Sequence, residues 1–489
     1  MLCRKSAVSL VGLVSLVCSV YLASLVSFVQ PNRRDRLDRQ NRPDRPNRPD
    51  RPTEQACLAG LFSLLMVVLI LGIAGTAQAQ FGGSCRASAP PSRVPGTGFF
   101  EVVPSICVAE RYDSNVYFRP ATPGLQRDDF VTTVNPRLRI NHNGEYASLL
   151  LNLGGFNETY ANNSNLNFFG TRDSLFLNLD NSIKRWFPRA GLRVMDMFSY
   201  SQLPPGLGSI AAGTSPGDPS IPQDPNLPNS EDIFAQGLLF PRRNNLTNTG
   251  VILASYDTTA TTSLNASYSY SMLRFQGSPT TQGLSLFNTT SQTGTAGGAA
   301  RLSDLDTMNI RYAHTETDFM GGSSSSFFKV DSATIGWSRL VTPNLRGHLG
   351  GGGVLISTGR STYVANAALV MNFTNNSATV SYGRSVVPSF VGAGEPLIAD
   401  RVSLSATHMV ARQWQLAEFA SYVHTSRAGG NNALTYDAFI AGGDIRYWMT
   451  SIWATSLSYN YTKFTRESGS VNSDFDRHVI MLSVIASWG

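Results

Sequence analysis

The stretch Trp453-Ala454-Thr455-Ser456-Leu457-Ser458-Tyr459-Asn460-Tyr461-Thr462 repeats with a period of two. Trp453, Thr455, Leu457, Tyr459 and Tyr461 form a mostly apolar, aromatic face, and Ala454, Ser456, Ser458, Asn460 and Thr462 a small, polar one. Successive side chains of a strand point to opposite faces, so the pattern predicts a strand between two different surroundings. After a loop over residues 465–474, Ile480, Leu482, Val484, Ala486 and Trp488 repeat the alternation to the end of the chain. Strands of soluble sandwiches run about five or six residues, whereas about 9–11 tilted residues cross a bilayer. Length and alternation together predict a transmembrane hairpin, apolar outward and polar inward, with aromatic residues at the interfaces.

The same rhythm extends back to about residue 106. A first strand is expected over 106–118, then a hairpin of 130–141 and 145–160 around the turn His142-Asn143-Gly144, a strong hairpin signal. Strands over 172–184 and 190–202 flank Trp186-Phe187-Pro188. Residues 203–245 are a long gap rich in Pro and Gly, after which pairs resume at 247–256 and 261–275. Later turns fall at 303–306, 342–344, 374–376, 412–413 and 449–450, separated by longer loops. Short turns alternating with long loops are the habit of outer-membrane barrels. The fold expected is all-β: one transmembrane, antiparallel, up-and-down barrel of about 18 strands, with about 16 as the alternative. An even count puts both chain ends on the periplasmic side.

Composition agrees. Hydrophobic residues make up 42%, charged residues only 15%, and the mean hydropathy is −0.08. A helical membrane protein is more apolar and a soluble enzyme usually more charged, whereas half-polar strands average to neutral. The 43 Gly and 25 Pro suit many turns.

The N-terminal 79 residues read differently. Apolar stretches at 7–29 and 56–79 flank a run of Arg-Pro-Asp and Arg-Pro-Asn triplets over 32–52, whose prolines and charges predict disorder. The second stretch ends Ala77-Gln78-Ala79, a small-residue cleavage pattern, so 56–79 reads as a signal peptide, with an uncleaved membrane helix as the alternative. Residues 1–55 are either an over-extended start or a real anchor and linker. Residues 80–105, rich in Gly, Ser and Pro at their start, read as a periplasmic tether, and 106–489 as the barrel. The leader also carries the charge: the chain has 39 basic and 33 acidic residues, and removing 1–79 leaves 29 and 28, net +1. The basic balance is therefore no argument for nucleic acid. Cys3, Cys18 and Cys57 fall in the leader, leaving Cys85 and Cys107 as a candidate disulfide between tether and first strand in an oxidising compartment.

The segment Glu110-Arg111-Tyr112-Asp113-Ser114-Asn115-Val116-Tyr117-Phe118, followed by Asp128-Asp129-Phe130, resembles the opening of the β-barrel porin 2 family. These are bacterial outer-membrane barrels, some found with exopolysaccharide loci. The resemblance spans roughly residues 99–489 and implies location and shape more than substrate. The aromatic last strand also resembles that of outer-membrane barrels, where it is read by the barrel assembly machinery. Here Gly489 follows Trp488, one residue past the usual ending.

The remaining signal is charge placed to face inward. An arginine facing lipid at the midplane costs about 2–4 kcal/mol, so Arg137, Arg139, Arg311, Arg346, His348, Asp444 and Arg446, which alternate with or lie beside apolar residues, are the pore-lining candidates. They either form a basic strip that favours anions or acidic sugars, or, with Asp180 and Glu418, simply brace the interior. Asp218, Asp224, Glu231 and Asp232 in the long gap are candidates for a constriction loop facing that strip. His142, His314, His348, His408, His424 and His478 are scattered without Ser/His/Asp spacing, so no enzyme is expected; nor is a cofactor or metal site. Tyr112-Asp113-Ser114 reads as polar residues at a strand end, and Gly350–Gly353 as a place of close backbone approach or a bulge. Two functions stay open: a porin-like diffusion or export channel for small solutes or polysaccharide, and a structural, assembly or surface-binding barrel.

Peptide mass spectrometry of the mature protein should place its N-terminus at Gln80. Peptides from 32–52 on the membrane-inserted protein would exclude that cleavage. Cys85 and Cys107 should resist alkylation until a reductant is added.

Overall fold

The structure is a computed structural model, described for residues 101–118, 120, 126–202, 243–276, 280–281, 284–285, 287–320, 326–388, 396–427, 435–468, 471–472 and 474–488. Eighteen long strands make up nearly all of it. They are β1 Glu101–Asp113, β2 Asp129–Asn143, β3 Ser148–Tyr160, β4 Phe168–Asn178, β5 Ala190–Ser201 and β6 Asn245–Asp257; β7 Thr262–Phe275, β8 Asn288–Arg301, β9 Asp306–Met320, β10 Ser326–Thr342, β11 Leu345–Ile356 and β12 Arg360–Asn372; β13 Asn376–Pro388, β14 Pro396–Ala411, β15 Trp414–Arg427, β16 Thr435–Trp448, β17 Trp453–Ser468 and β18 Phe475–Ser487. Each pairs antiparallel with the next, and β18 returns to β1 from Ser105↔Ser487 to Asp113↔Val479, so the sheet closes. A two-residue strand, Val471–Asn472, extends the end of β17. One end of the barrel gathers the tight connections, the start of β1 and the end of β18. The longer loops are at the other.

Two sequence boundaries move. The first strand begins at Glu101 and ends at Asp113 rather than spanning 106–118. Beyond Asp113 the chain turns inward, with the Asn115 N–H donating to Asp113 Oδ1 at 3.1 Å and Phe118 at φ 52°. The fourth strand is Phe168–Asn178, not 172–184. There the Asp180 N–H donates to Asn178 Oδ1 at 2.8 Å, a local bond that competes with the ladder. A short helix, α1 Asp180–Lys184, follows.

The strand faces divide as membrane barrels do. Large apolar side chains are exposed on the outward face, among them Leu264, Ile310, Leu349, Leu369, Val402, Leu457 and Leu482. Toward the loop end, tyrosines on that face donate to an aspartate of the next strand: Tyr312 to Asp331 at 2.5 Å, Tyr382 to Asp400 at 2.8 Å, Tyr422 to Asp437 at 2.6 Å and Tyr461 to Asp476 at 2.9 Å. Toward the turn end Trp337, Trp414 and Trp453 are exposed. These two aromatic zones mark where an apolar band meets water.

The closing seam is bolted from inside. Arg477 on β18 donates twice to Asp113 on β1, at 2.9 and 2.6 Å, and lies over the Phe118 ring at 4.3 Å. Ser114 and His478 exchange two bonds, Ser114 N–H to the His478 carbonyl at 3.0 Å and His478 N–H to Ser114 Oγ at 2.8 Å. Asp129, at the start of β2, accepts from the backbone and side-chain amides of Asn162 and Asn163. The polar run 110–118 is thus more than a strand end: it fastens the chain just beyond β1 to the closing seam. Cys107, buried on β1, is disulfide-bonded, while Cys85 lies outside the described residues.

Removing one partner of a buried, hydrogen-bonded ion pair costs about 3–5 kcal/mol, because the other charge is stranded. Arg477→Gln should therefore lower the temperature at which the folded barrel loses its heat-modifiable gel mobility, and Arg477→Gln with Asp113→Asn should recover much of the loss. Equal mobility profiles for wild type and Arg477→Gln would mean that the seam is held elsewhere.

Candidate functional site

The inward face is where the barrel can do chemistry on a solute. Arg137 and Arg139 of β2 stand on it, in register with Gly154 and Asn152 of β3, which pair in turn with Arg172 and Ser174 of β4. Arg111 of β1 faces the same wall and donates to Glu158 Oε1 at 3.2 Å, while the Tyr160 hydroxyl donates to Glu158 Oε2 at 2.7 Å. The Arg172 guanidinium lies 4.4 Å from the centroid of the Phe156 ring. Lower on the wall, Arg193 of β5 pairs with Asp180 of α1 at 2.8 Å. One sector, β1 to β5, therefore gathers five arginines against Asp113, Glu158 and Asp180.

The other candidates do not join this cluster. Arg311 is on β9, in register with Gly297 and Thr334. Arg346 and His348 are on β11, paired with Leu340 and Ser338. Asp444 and Arg446 are on β16, where Arg446 is buried with its Nη2 3.9 Å from Asp444 Oδ1. All share the inward parity, but they stand on three separate parts of the wall. Asp218, Asp224, Glu231 and Asp232 lie outside the described residues. Arg111, Arg172 and Arg193 were not singled out in the sequence, although each has the right parity. Their shared wall comes from strand register, which alternation along one strand does not encode.

Glu418 is not among the charges of the interior, where it was expected with Asp180. On β15 it shares its face with Trp414, Leu416, Ala420 and Tyr422, and its cross-strand partners are Ala406 and Gly443. It is exposed on the outer wall, midway between the two aromatic zones. Asp196 of β5 also faces outward, between Val194 and Phe198, where the Asn248 amide donates to it at 3.2 Å. The aromatic residues at either end of β15 fix the parity, and one carboxylate does not shift a strand by a residue, since a slip would reverse every other side chain.

The glycine run on β11 is a close approach, not a bulge. A Cβ on Gly350 would collide with Oδ1 of Asn366, the side chain directly opposite on β12. Gly336 of β10 stands in the same relation to Asn309 of β9. Glycine on one strand lets the neighbour's amide lie flat along the inner wall. Gly352 is different, because its Cβ would strike the backbone carbonyl of Ala333.

Two of the histidines pair with aspartates. His314 Nδ1 lies 2.8 Å from Asp331 and His424 Nδ1 2.9 Å from Asp437, but both pairs belong to the outward tyrosine–aspartate zone. Among the described residues no group of His, Cys, Asp and Glu could hold a metal ion.

No family model and no curated protein matches the chain. Solved structures similar to it include the outer membrane protein OpdK of Pseudomonas aeruginosa, at 12% identity and TM-score 0.41 over 80% of this chain and all of that one. The siderophore receptor PirA of the same organism is similar at 7% identity and TM-score 0.40, over 80% of each chain. OccK3 (OpdO) is similar at 11% identity and TM-score 0.38, over 80% of this chain and 96% of that one. These overlaps are loose, and the fold stands on the strand register.

Gly350→Ala should yield a folded, heat-modifiable barrel, because a flexible amide can swing away. Gly352→Ala should yield little, because a backbone carbonyl cannot. Similar yields of folded barrel for the two variants would overturn this distinction between the two glycines.

Proposed function

We propose that the chain is a bacterial outer-membrane, porin-like channel, entered through the loop end, with tight turns and both termini in the periplasm. The observation that carries the reading is the pairing of a closed, eighteen-strand wall with an apolar outward face and an inward face bearing Arg137, Arg139, Arg172 and Arg193. Charged rings and strips on a pore wall select by sign, so the solutes favoured are small anions or acidic sugars. Passage of an exopolysaccharide is the finer form of the same proposal, and it rests on the family resemblance of 110–118. Insertion by the barrel assembly machinery belongs with it. The long connection after β5 would supply the narrowing, its acidic residues facing the basic wall and imposing a transverse field.

A second reading, a structural barrel without an open pore, is favoured by one observation. Inward residues near the loop end are deeply buried: Phe118, Leu397, Val423, Ile440, Phe464 and Phe475 form one apolar cluster, and Phe287, Phe319 and Phe328 another. A mouth so lined is well packed.

Single-channel recording in planar bilayers separates the two. Wild type should conduct and prefer anions, and deletion of 215–229 should raise the conductance and change its selectivity. Unchanged conductance after deletion would remove the narrowing loop, and no conductance in either protein would leave the structural barrel.

A further inference from the structure

Arg137 and Arg172 share one rung of the inner wall across Gly154, which is in register with both. A Cβ at Gly154 would come within 3.4 Å of Arg137 Cγ and 3.1 Å of the Arg172 carbonyl oxygen, so glycine keeps the space between them open. Among the described residues neither cation makes an ion pair, although the Glu158 carboxylate is near enough to act on the charge of Arg172. Arg137 Nε donates to Asn135 Oδ1 at 2.9 Å. Arg172 makes no hydrogen bond and no ion pair with any described residue, its Nε is buried without an acceptor, and its one specific contact is the Phe156 ring. The nearby carboxylate, Glu158, is already taken by Arg111 and Tyr160. A recess of about one water's volume opens beside the rung, lined by Arg111, Thr133, Asn135, Phe156, Glu158, Arg172 and Met481, with Arg137 outside its lining. Like-charged guanidinium groups, one with a shielded donor aimed at nothing, are costly unless an acceptor completes them.

We infer that this rung is a built site for one small anion, a halide or the oxyanion head of a carboxylate, sulfate or phosphate. Arg137 and Arg172 grip it from two strands. The Asn135 amide, whose oxygen is turned to Arg137, and the Thr133 hydroxyl stand beside the recess as further donors. The inference rests on the channel reading only in that the anion reaches the rung from the lumen, and it gives that reading a particular binding step: a solute's acidic group would pause between these two strands. It predicts nothing of the kind for Arg346 on the other side of the wall.

The test is equilibrium binding to the full barrel in detergent, which does not require conduction. The unfolding temperature is followed while chloride, sulfate or acetate is raised through the millimolar range at ionic strength held with a bulky sulfonate buffer. The expected result is a saturable rise. Sulfate also stabilises proteins non-specifically, but that effect does not saturate and is common to all variants. Arg137→Gln and Arg172→Gln should each weaken half-saturation roughly tenfold or more, the worth of one charge-assisted bond, while Arg346→Gln should leave it unchanged. A response to acetate alone would identify an organic carboxylate as the ligand, and a response to sulfate or chloride a free inorganic anion; either supports the site. The wild-type titration stands without variants, so a misfolded Arg172→Gln does not rescue the idea. Absence of a saturable rise in wild type, or an equal rise in all variants, overturns it. A saturable rise in a barrel that passes no current would keep the site and reject the channel. Anion-selective current without a saturable rise would do the reverse.

Discussion

A chain that crosses hydrocarbon must satisfy its own backbone hydrogen bonds, since no water is present to do so and each orphan group costs several kcal/mol. For strands there is one solution, a sheet without edges. Everything else in this structure follows from β1 meeting β18. The seam joins residues more than 360 positions apart, so loop-closure entropy opposes it most. It is also where specific side-chain bonds concentrate: Arg477 with Asp113, Ser114 with His478, and the Asn115 side chain with the Asp476 carbonyl. The segment that carries the family resemblance is the same segment that fastens this closure.

Closure also sorts the charges. The outer wall must be apolar between its two aromatic zones, and the inner wall takes what remains. Serines and threonines do much of that work quietly, bonding across strands in pairs such as Ser267 with Thr295, Ser381 with Ser403 and Ser456 with Ser483. Asparagines lie flat over glycines. Arginines then supply the long, fixed charges on the wall between β1 and β5, and their surplus over carboxylates gives that sector its sign. Glu418 and Asp196 on the outer wall are the exceptions. Nothing in the register moves them inside, because the aromatic residues of their own strands hold the parity.

Individual strands show how closely local chemistry competes with the ladder. β4 stops at Asn178 because its side chain captures the Asp180 N–H and a turn of helix becomes the better continuation. β1 stops at Asp113 because its carboxylate is worth more to Arg477 and to the Asn115 N–H than a further step of pairing. Both strands would be longer by alternation alone, and both end where a side chain bonds the backbone of its own loop.

The sequence by itself determined the fold class and the parity of almost every strand, and narrowed the strand number to about 18 or 16, because a period of two, repeated at membrane-spanning length, suits a closed barrel in a bilayer and little else. It made the faces of Leu457 and Ser458, of Arg139 and Leu138, and of His348 and Leu349 legible from their neighbours alone. It did not determine which inward charges meet. Arg137 faces Arg172 across Gly154 only because three strands take one particular register, and Arg111 reaches Glu158 only because β1 and β3 flank β2. Register is set by the whole closed sheet, through its turns and its seam, and no single strand contains it. The tertiary structure alone therefore decided that five arginines share one wall while Arg311, Arg346 and Arg446 stand apart, and that the polar run after Glu110 locks the barrel shut.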